Sequence, residues 1–453
     1  MEAPPCLGNL YAMTRPEPDT LSLLASRPSL RMDVQDGLLF EDVPLHLIAE
    51  RLGTPCWITG AGTLRRRTRN LHHAFVQAGL DVALHYAMKA NDHLATLTVL
   101  REEGCGADVV SGGEFLRAVH AGIDPAHIVF SGVGKTNAEL TLALRHGIGQ
   151  INIESVEELR RLSSVAQHLD LTARVVLRVN PDIDAGTHDK ISTGRAGDKF
   201  GIDWERVPAI YAEAAALPGI EPIGLATHIG SQILSPAPFK AAYARVAEMV
   251  RTLRAQGLIV ETVDCGGGLG IRYRDELAPP PSALAGAIRE TLGDLDVRLA
   301  IEPGRWLAAP AGVLLTSVID TKHQPEGVPN FLILDAAMND LARPSLYGSW
   351  HGIVPLSPER AHADLVPQTV VGPVCESSDV FATARPLPAL QPGDVVAILD
   401  SGAYGAVMSS TYNSRPFAAQ AMVENGQWQQ IRARQPVDAL WTGETLPDWL
   451  ETQ

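Results

Sequence analysis

From Gly60 to Ile301 the chain alternates short apolar runs with longer segments in which apolar residues recur at helical spacing. The runs are Val82–Tyr86, Ala107–Val110, Ile128–Ser131, Gln150–Ile153, Ala173–Val179, Ile223–Thr227, Val260–Asp264 and Arg298–Ile301. Their length and their content of Val, Ile and Leu predict buried strands. Ala138–His146, Val156–His168, Phe239–Gln256 and Pro281–Thr291 carry the helical period between them. Eight such alternations over about 240 residues predict an α/β fold, a (β/α)₈ barrel. A doubly wound open sheet has the same strand count and stays open as the alternative.

The pattern changes after Trp306. Gly312–Ile319, Phe331–Leu334, Thr369–Val371 and Val395–Ile398 are short β-type runs parted by turns such as Gln391-Pro392-Gly393-Asp394. They predict a second, mostly β domain, sandwich- or barrel-like. Before the barrel, Pro44–Leu52 reads as a short helix and Cys56–Thr59 as a strand. The expected division is an irregular, proline-rich arm over 1–31, a first part of the β domain over 32–59, the barrel over 60–305 and the main part of the β domain over 306–453. The loop Asp184–Lys199, rich in Gly, Thr and Asp, reads as mobile.

Composition narrows the function classes. The 453 residues are 45% hydrophobic and 20% charged, as in an ordinary globular protein. A net charge of -15 argues against nucleic acid and anionic membranes as partners. The five cysteines are odd in number and no close pair has metal-ligand spacing, so neither a disulfide framework nor a metal site is expected. That usage suits a reducing, cytoplasmic compartment. Met1–Leu10 lacks the basic start and apolar core of a secretory signal. No run approaches the roughly 20 apolar residues of a membrane span.

The chemistry clusters where predicted strands end, the face on which barrel enzymes build their sites. Lys89, in His85-Tyr86-Ala87-Met88-Lys89-Ala90-Asn91, follows the first run. Alone it reads as a strand-end lysine reaching for water. Its functional reading is a Schiff-base lysine, its amine lowered in pKa by burial, that carries an aldehyde cofactor. His228-Ile229-Gly230-Ser231-Gln232 follows the sixth run, Gly266–Gly270 the seventh and Glu302-Pro303-Gly304-Arg305 the eighth. Glycines let backbone amides approach a phosphate, although this spacing is not the dinucleotide fingerprint. Each motif alone has a plainer reading: a core histidine, a flexible turn, a Glu302–Arg305 ion pair. Together they describe a pyridoxal 5'-phosphate site. The lysine holds the aldehyde, the imidazole stacks on the ring, the glycines hold the phosphate, and Glu302 faces the ring nitrogen. A carboxylate there keeps the pyridine protonated and strengthens the electron sink, which points to decarboxylation rather than racemisation. In the second domain, Cys375 sits between Pro373 and acidic residues in an apparent loop, which suits a proton donor. Tyr404, between Gly402 and Gly405, either packs structurally or bonds the phosphate.

Over roughly residues 35–445 the chain resembles the fold-type III pyridoxal phosphate decarboxylases, most closely those acting on diaminopimelate. The resemblance rests on Tyr86–Asn91, His228–Gln232, Gly266–Gly270, Glu302–Arg305, Arg343-Pro344-Ser345-Leu346-Tyr347-Gly348, Gly372–Asp379 and Gly402–Tyr404. It implies Lys89 as the cofactor-holding amine, His228 against the ring and Glu302 on the ring nitrogen. Ser231, Gly267, Gly268 and Gly304 would hold the phosphate. Tyr404 and Arg305 would touch both cofactor and substrate. Arg305, Arg343 and Tyr347 would bind the substrate's distal carboxylate, Glu376 its amino group, and Cys375 would donate the proton. The resemblance also implies a head-to-tail homodimer with shared sites, the Cys375–Glu376 loop entering the partner's site. The expected reaction converts meso-2,6-diaminopimelate to L-lysine and CO₂. A distal zwitterion suits arginine forks beside a glutamate, whereas a buried Arg343 would repel ornithine, arginine or lysine. A relative acting on one of these or on carboxynorspermidine, and a non-catalytic homologue, remain the alternatives.

Overall fold

Eight parallel strands pair in sequence order until the last meets the first. They are β1 Val82–Ala87, β2 Gly106–Val109, β3 Ile128–Phe130, β4 Gln150–Ile153, β5 Ala173–Asn180, β6 Ile220–Ala226, β7 Thr262–Asp264 and β8 Arg298–Ile301. Leu299 on β8 aligns with Val82 on β1, and Ile151 on β4 with Val175 on β5. That closure decides for the barrel over the open sheet. The computed structural model describes residues 17–184 and 199–451; the predicted mobile loop at 184–199 falls almost wholly outside the described residues.

The strand-to-helix turns explain why the barrel helices start where they do. Ser111, the capping box of Thr136 with Glu139, and Ser155 each accept a backbone N–H of the first helical turn. One face of each helix is then apolar, as Leu140, Ala143 and Leu144 are on Asn137–Arg145. The four predicted helices appear, within three residues at each end. Ala61–Gln77, Leu94–Glu102, Gly112–His120 and Val207–Ala216 supply helices between the other strands.

The second domain is a mixed sheet in the order 380–388, 365–371, 330–334, 312–322, 56–60, 419–424 and 427–432. Cys56–Gly60, from before the barrel, lies between Gly312–Lys322 and Ala419–Glu424. The sheet therefore joins the two ends of the chain across the barrel. Phe40, Leu45 and Ile48 pack on this sheet with Val313, Leu315 and Ala421.

The segment expected to be an irregular arm holds a helix, Thr20–Ala25, capped by the Asp19 carboxylate on the Ser22 amide. Its anchor is Arg27, a buried residue that sequence spacing does not reveal. Arg27 Nε donates to Asp400 Oδ2 at 2.7 Å, and Nη2 also reaches the Tyr273 carbonyl at 2.7 Å. Arg27→Ala leaves Asp400 buried without its cation, so unfolding free energy falls by about 3–5 kcal/mol. A denaturant midpoint unchanged in the variant refutes that anchoring role.

Candidate active site

All eight strands deliver their C-terminal ends to one mouth, and the sequence motifs lie there. After β1 the chain turns through Met88–Ala90, which aims Lys89 into the mouth. Its Nζ is 2.8 Å from Oδ2 of Asp108, a fully buried residue of β2. The expected lowering of the lysine pKa is corrected by this contact. Burial does press the ammonium down, but Asp108, Glu302 and Tyr404 more than reverse it, and the amine is held above the usual lysine range. The second oxygen of Asp108 is buried without a partner among the described residues.

Glu302 follows β8 and is 7% exposed. Its Oε1 accepts from Asn152 Nδ2 on β4 at 3.3 Å and from Ser131 Oγ, just past β3, at 3.4 Å. Burial raises its carboxyl pKa well above the ordinary range, and the nearby carboxyls Asp108 and Asp264 add to that; Lys89 and Arg178 oppose it. Asp264 is shifted the same way, by burial first and with Asp108 adding to it, so the protonated form is favoured at both carboxyls. Asp264, ending β7, accepts the Gly266 amide at 2.9 Å and Gln150 Nε2 at 3.3 Å.

The loop after β6 places His228 beside the glycine turn after β7. Its Nδ1 accepts the Gly267 amide at 3.0 Å, so the ring proton is on Nε2. Burial, with the positive charges of Arg178 and Lys89, keeps the ring neutral. The glycines are needed here. A Cβ on Gly267 would stand 2.3 Å from the Glu302 carbonyl oxygen, and Gly268 has φ +114°.

Ser231 and Arg305 meet directly: Ser231 Oγ accepts from Arg305 Nε at 3.1 Å and Nη2 at 3.0 Å. Arg305 Nη1 donates to the Tyr273 hydroxyl at 2.8 Å, and its guanidinium lies 4.9 Å from the Tyr404 ring centroid. Tyr404 reaches the mouth from the second domain, its amide donating to the Ala90 carbonyl at 2.8 Å. Lys89, His228, Ser231, Glu302, Arg305 and Tyr404 line one cavity, with Gly267, Gly268 and Gly304 in its wall.

Arg343 starts the helix Arg343–Tyr347 and is buried. Its Nη1 is 2.9 Å from Nε2 of His351, whose Nδ1 donates to the Leu399 carbonyl. Burial and the Arg343 charge keep His351 neutral, so Nε2 is an acceptor. Tyr273 packs between the two arginines: the Arg343 guanidinium is 4.9 Å from its ring centroid. Tyr347 is half-buried on the same helix.

Cys375 and Glu376 are not brought to this cavity. They are exposed on a loop pinned by Asp379, which accepts the Val374 amide at 2.9 Å and the Met338 amide at 2.7 Å. Sequence reasoning missed Asp108, Ser131, Asn152, Tyr273 and His351. The available signal was polar side chains inside strand-length apolar runs, as with Asp108 and Asn152.

The residues fit pyridoxal phosphate. An amine and a carboxyl face one cavity, the glycine turn admits backbone amides to it, and the amides of Gly268 and Gly304 have no acceptor among the described residues. Residues 61–309 match the family model for the pyridoxal-dependent decarboxylase, pyridoxal binding domain. A diaminopimelate decarboxylase of Zymomonas mobilis is 47% identical over 91% of this chain and 98% of its own. One from Vibrio cholerae is 45% identical over the same shares. Among solved structures, diaminopimelate decarboxylase of Helicobacter pylori complexed with L-lysine has a TM-score of 0.84 at 39% identity, covering 88% of this chain and 98% of that one. The enzyme of M. jannaschii in complex with L-lysine has a TM-score of 0.88 at 33% identity, covering 94% and 99%.

Proposed function

The chain belongs to the diaminopimelate decarboxylases, within the pyridoxal-dependent decarboxylases, and on that premise we propose how its own residues divide the work. The reaction removes one carboxyl group of diaminopimelate as CO₂ and leaves lysine, in lysine biosynthesis. Pyridoxal phosphate, when bound, supplies a ring that accepts the electron pair left on the substrate's α-carbon.

Lys89 is the amine that would hold the cofactor. Gly267, Gly268, Gly304 and Ser231 would hold its phosphate, with Tyr404 assisting. His228, neutral and fixed by the Gly267 amide, flanks the ring position without adding charge. The Glu302 carboxyl, pushed towards its protonated form by burial, can share a proton with a ring nitrogen as a charge-assisted pair. The observation that carries this reading is that Lys89, fixed by Asp108 at 2.8 Å, and Glu302 line one cavity with His228 and the glycine turn.

Arg305 and Arg343, on either side of Tyr273, would take the distal carboxylate, with Tyr347 beside them. Neutral His351 orients Arg343 and adds no competing negative charge. A second basic amine in place of the distal zwitterion meets two guanidiniums and is rejected. CO₂ release from holoenzyme tests this: kcat/KM for meso-diaminopimelate exceeds that for lysine, ornithine and arginine by about 100-fold or more, since a charged group left unpaired costs several kcal/mol. Faster release from any of the three overturns the specificity.

Cys375 Sγ would return a proton to the α-carbon, and Glu376 would bind the substrate's ammonium. Both lie outside their own chain's cavity, so a head-to-tail homodimer that lends this loop to the partner's site completes the machinery. Two inactive variants, Lys89→Ala and Cys375→Ala, then complement each other. Mixed and reassembled, they regain about a quarter of parental activity, because half the dimers carry one intact site of two. No recovery on mixing refutes the shared site. A cytoplasmic location accords with four free thiols among the described residues, where no helix is long and apolar enough to cross a membrane.

A further inference from the structure

Behind the active site lies a second cleft, of about 290 Å³, between the helix Ala61–Gln77 and the loop before Pro281–Leu292. Four arginines, Arg27, Arg66, Arg67 and Arg272, line it with a single carboxylate, Asp400. In a chain of net charge -15 this concentration of cations is unexpected. Asp400 is already engaged by two nitrogens of Arg27. Two acids outside its lining are engaged as well: Glu41 accepts the amides of Gly62 and Thr63, and Glu276 those of Tyr273 and Arg274.

Arg67 is the odd member. Its Nε donates to the Trp306 carbonyl, and its guanidinium lies 3.8 Å from the Trp306 ring centroid. Its two terminal nitrogens have no acceptor among the described residues. Burial lowers its pKa to about 9, Asp400 relieves this and Arg66 aggravates it, so the group is charged at neutral pH and has no counter-ion of its own. A partly buried cation without a carboxylate is uncommon and calls for an anion. Arg66 is exposed beside it and, among the described residues, bonds the hydroxyls of Ser29 and Thr63. Prolines 279 to 281 make a stiff wall opposite. Trp306 faces both cavities and follows Arg305 in the chain.

We propose that this cleft is an anion-binding site for a small molecule bearing a phosphate or carboxylate group, held by the guanidiniums of Arg67 and Arg66, and that its occupancy reaches Arg305 through Trp306. Planar guanidinium forks match both oxyanions. The transmission half rests on the substrate role given above to Arg305; the binding half does not.

Calorimetry on the holoenzyme at fixed ionic strength, with saturating lysine in the active site, tests the binding half. Inorganic phosphate is one arm and citrate the other, and the tighter arm identifies the oxyanion. One site per chain is expected, weakened about tenfold or more by Arg66→Gln and by Arg67→Gln, the loss of a charge-assisted bond. Arg66 is exposed, so Arg66→Gln keeps the test open where Arg67→Gln does not fold. No binding in either arm, or binding unchanged in Arg66→Gln, overturns the site. With the tighter anion saturating, KM for diaminopimelate shifts by about twofold or more in the parent and not in Arg66→Gln. An unshifted KM in the parent overturns the transmission. Loss of diaminopimelate turnover in the parent bears on the proposed function and leaves the calorimetry intact.

Discussion

Lys89→Ala abolishes turnover: kcat/KM falls by at least about 10³-fold, the scale of losing a covalent catalytic amine. Two structural facts set this expectation. Lys89 is the lysine that lines the cavity, and its Nζ is held in place by Asp108 at 2.8 Å. Alanine leaves no amine to hold the cofactor, so the purified variant loses the visible absorbance of the lysine-bound form. It also leaves the buried Asp108 carboxylate without its cation. A small primary amine such as methylamine restores part of the rate, which a merely unfolded variant does not show. Parental absorbance in the variant means that the lysine is misassigned.

Glu302→Gln is the second large effect. Glutamine keeps the shape and still accepts from Asn152 and Ser131 at one atom. It replaces the ionisable oxygen with an NH2 that neither gains nor loses a proton at neutral pH. With diaminopimelate, kcat falls by about 10²-fold or more while KM changes little, the pattern of a group that acts in the transition state. Glu302→Asp keeps the proton, shortens the reach and recovers part of the rate. If Glu302→Gln retains the parental kcat, the carboxyl has no part in handling the ring proton and the placement of the cofactor must be redrawn.

The barrel was legible because parallel strands buried on both faces read as unbroken apolar runs. Ala173–Val179 and Gln150–Ile153 are clear cases, the first one residue short of its strand and the second matching its bounds. The second domain was less so. Val380–Pro388 carries two prolines and pairs through Pro386 with Pro367, and Gln427–Arg432 is an edge strand of mostly polar residues. Neither shows an alternation that sequence could register. At the site, Lys89, His228 and Glu302 announced themselves through position after strands. Asp108 and Asn152 did not, because one polar residue inside an apolar run has no visible partner until the strands are side by side. The sign of the Lys89 shift failed for the same reason: burial was foreseeable, the carboxylate from the neighbouring strand was not.

Cys56–Gly60 waits for partners that begin at residues 312 and 419. During synthesis the barrel can close as soon as its eighth strand leaves the ribosome, whereas this early strand stays an unpaired edge until the last tenth of the chain is made. Nascent chains arrested before residue 419 therefore expose a sticky β edge beside a finished barrel, and it is there that aggregation during expression, or rescue by chaperones, will concentrate.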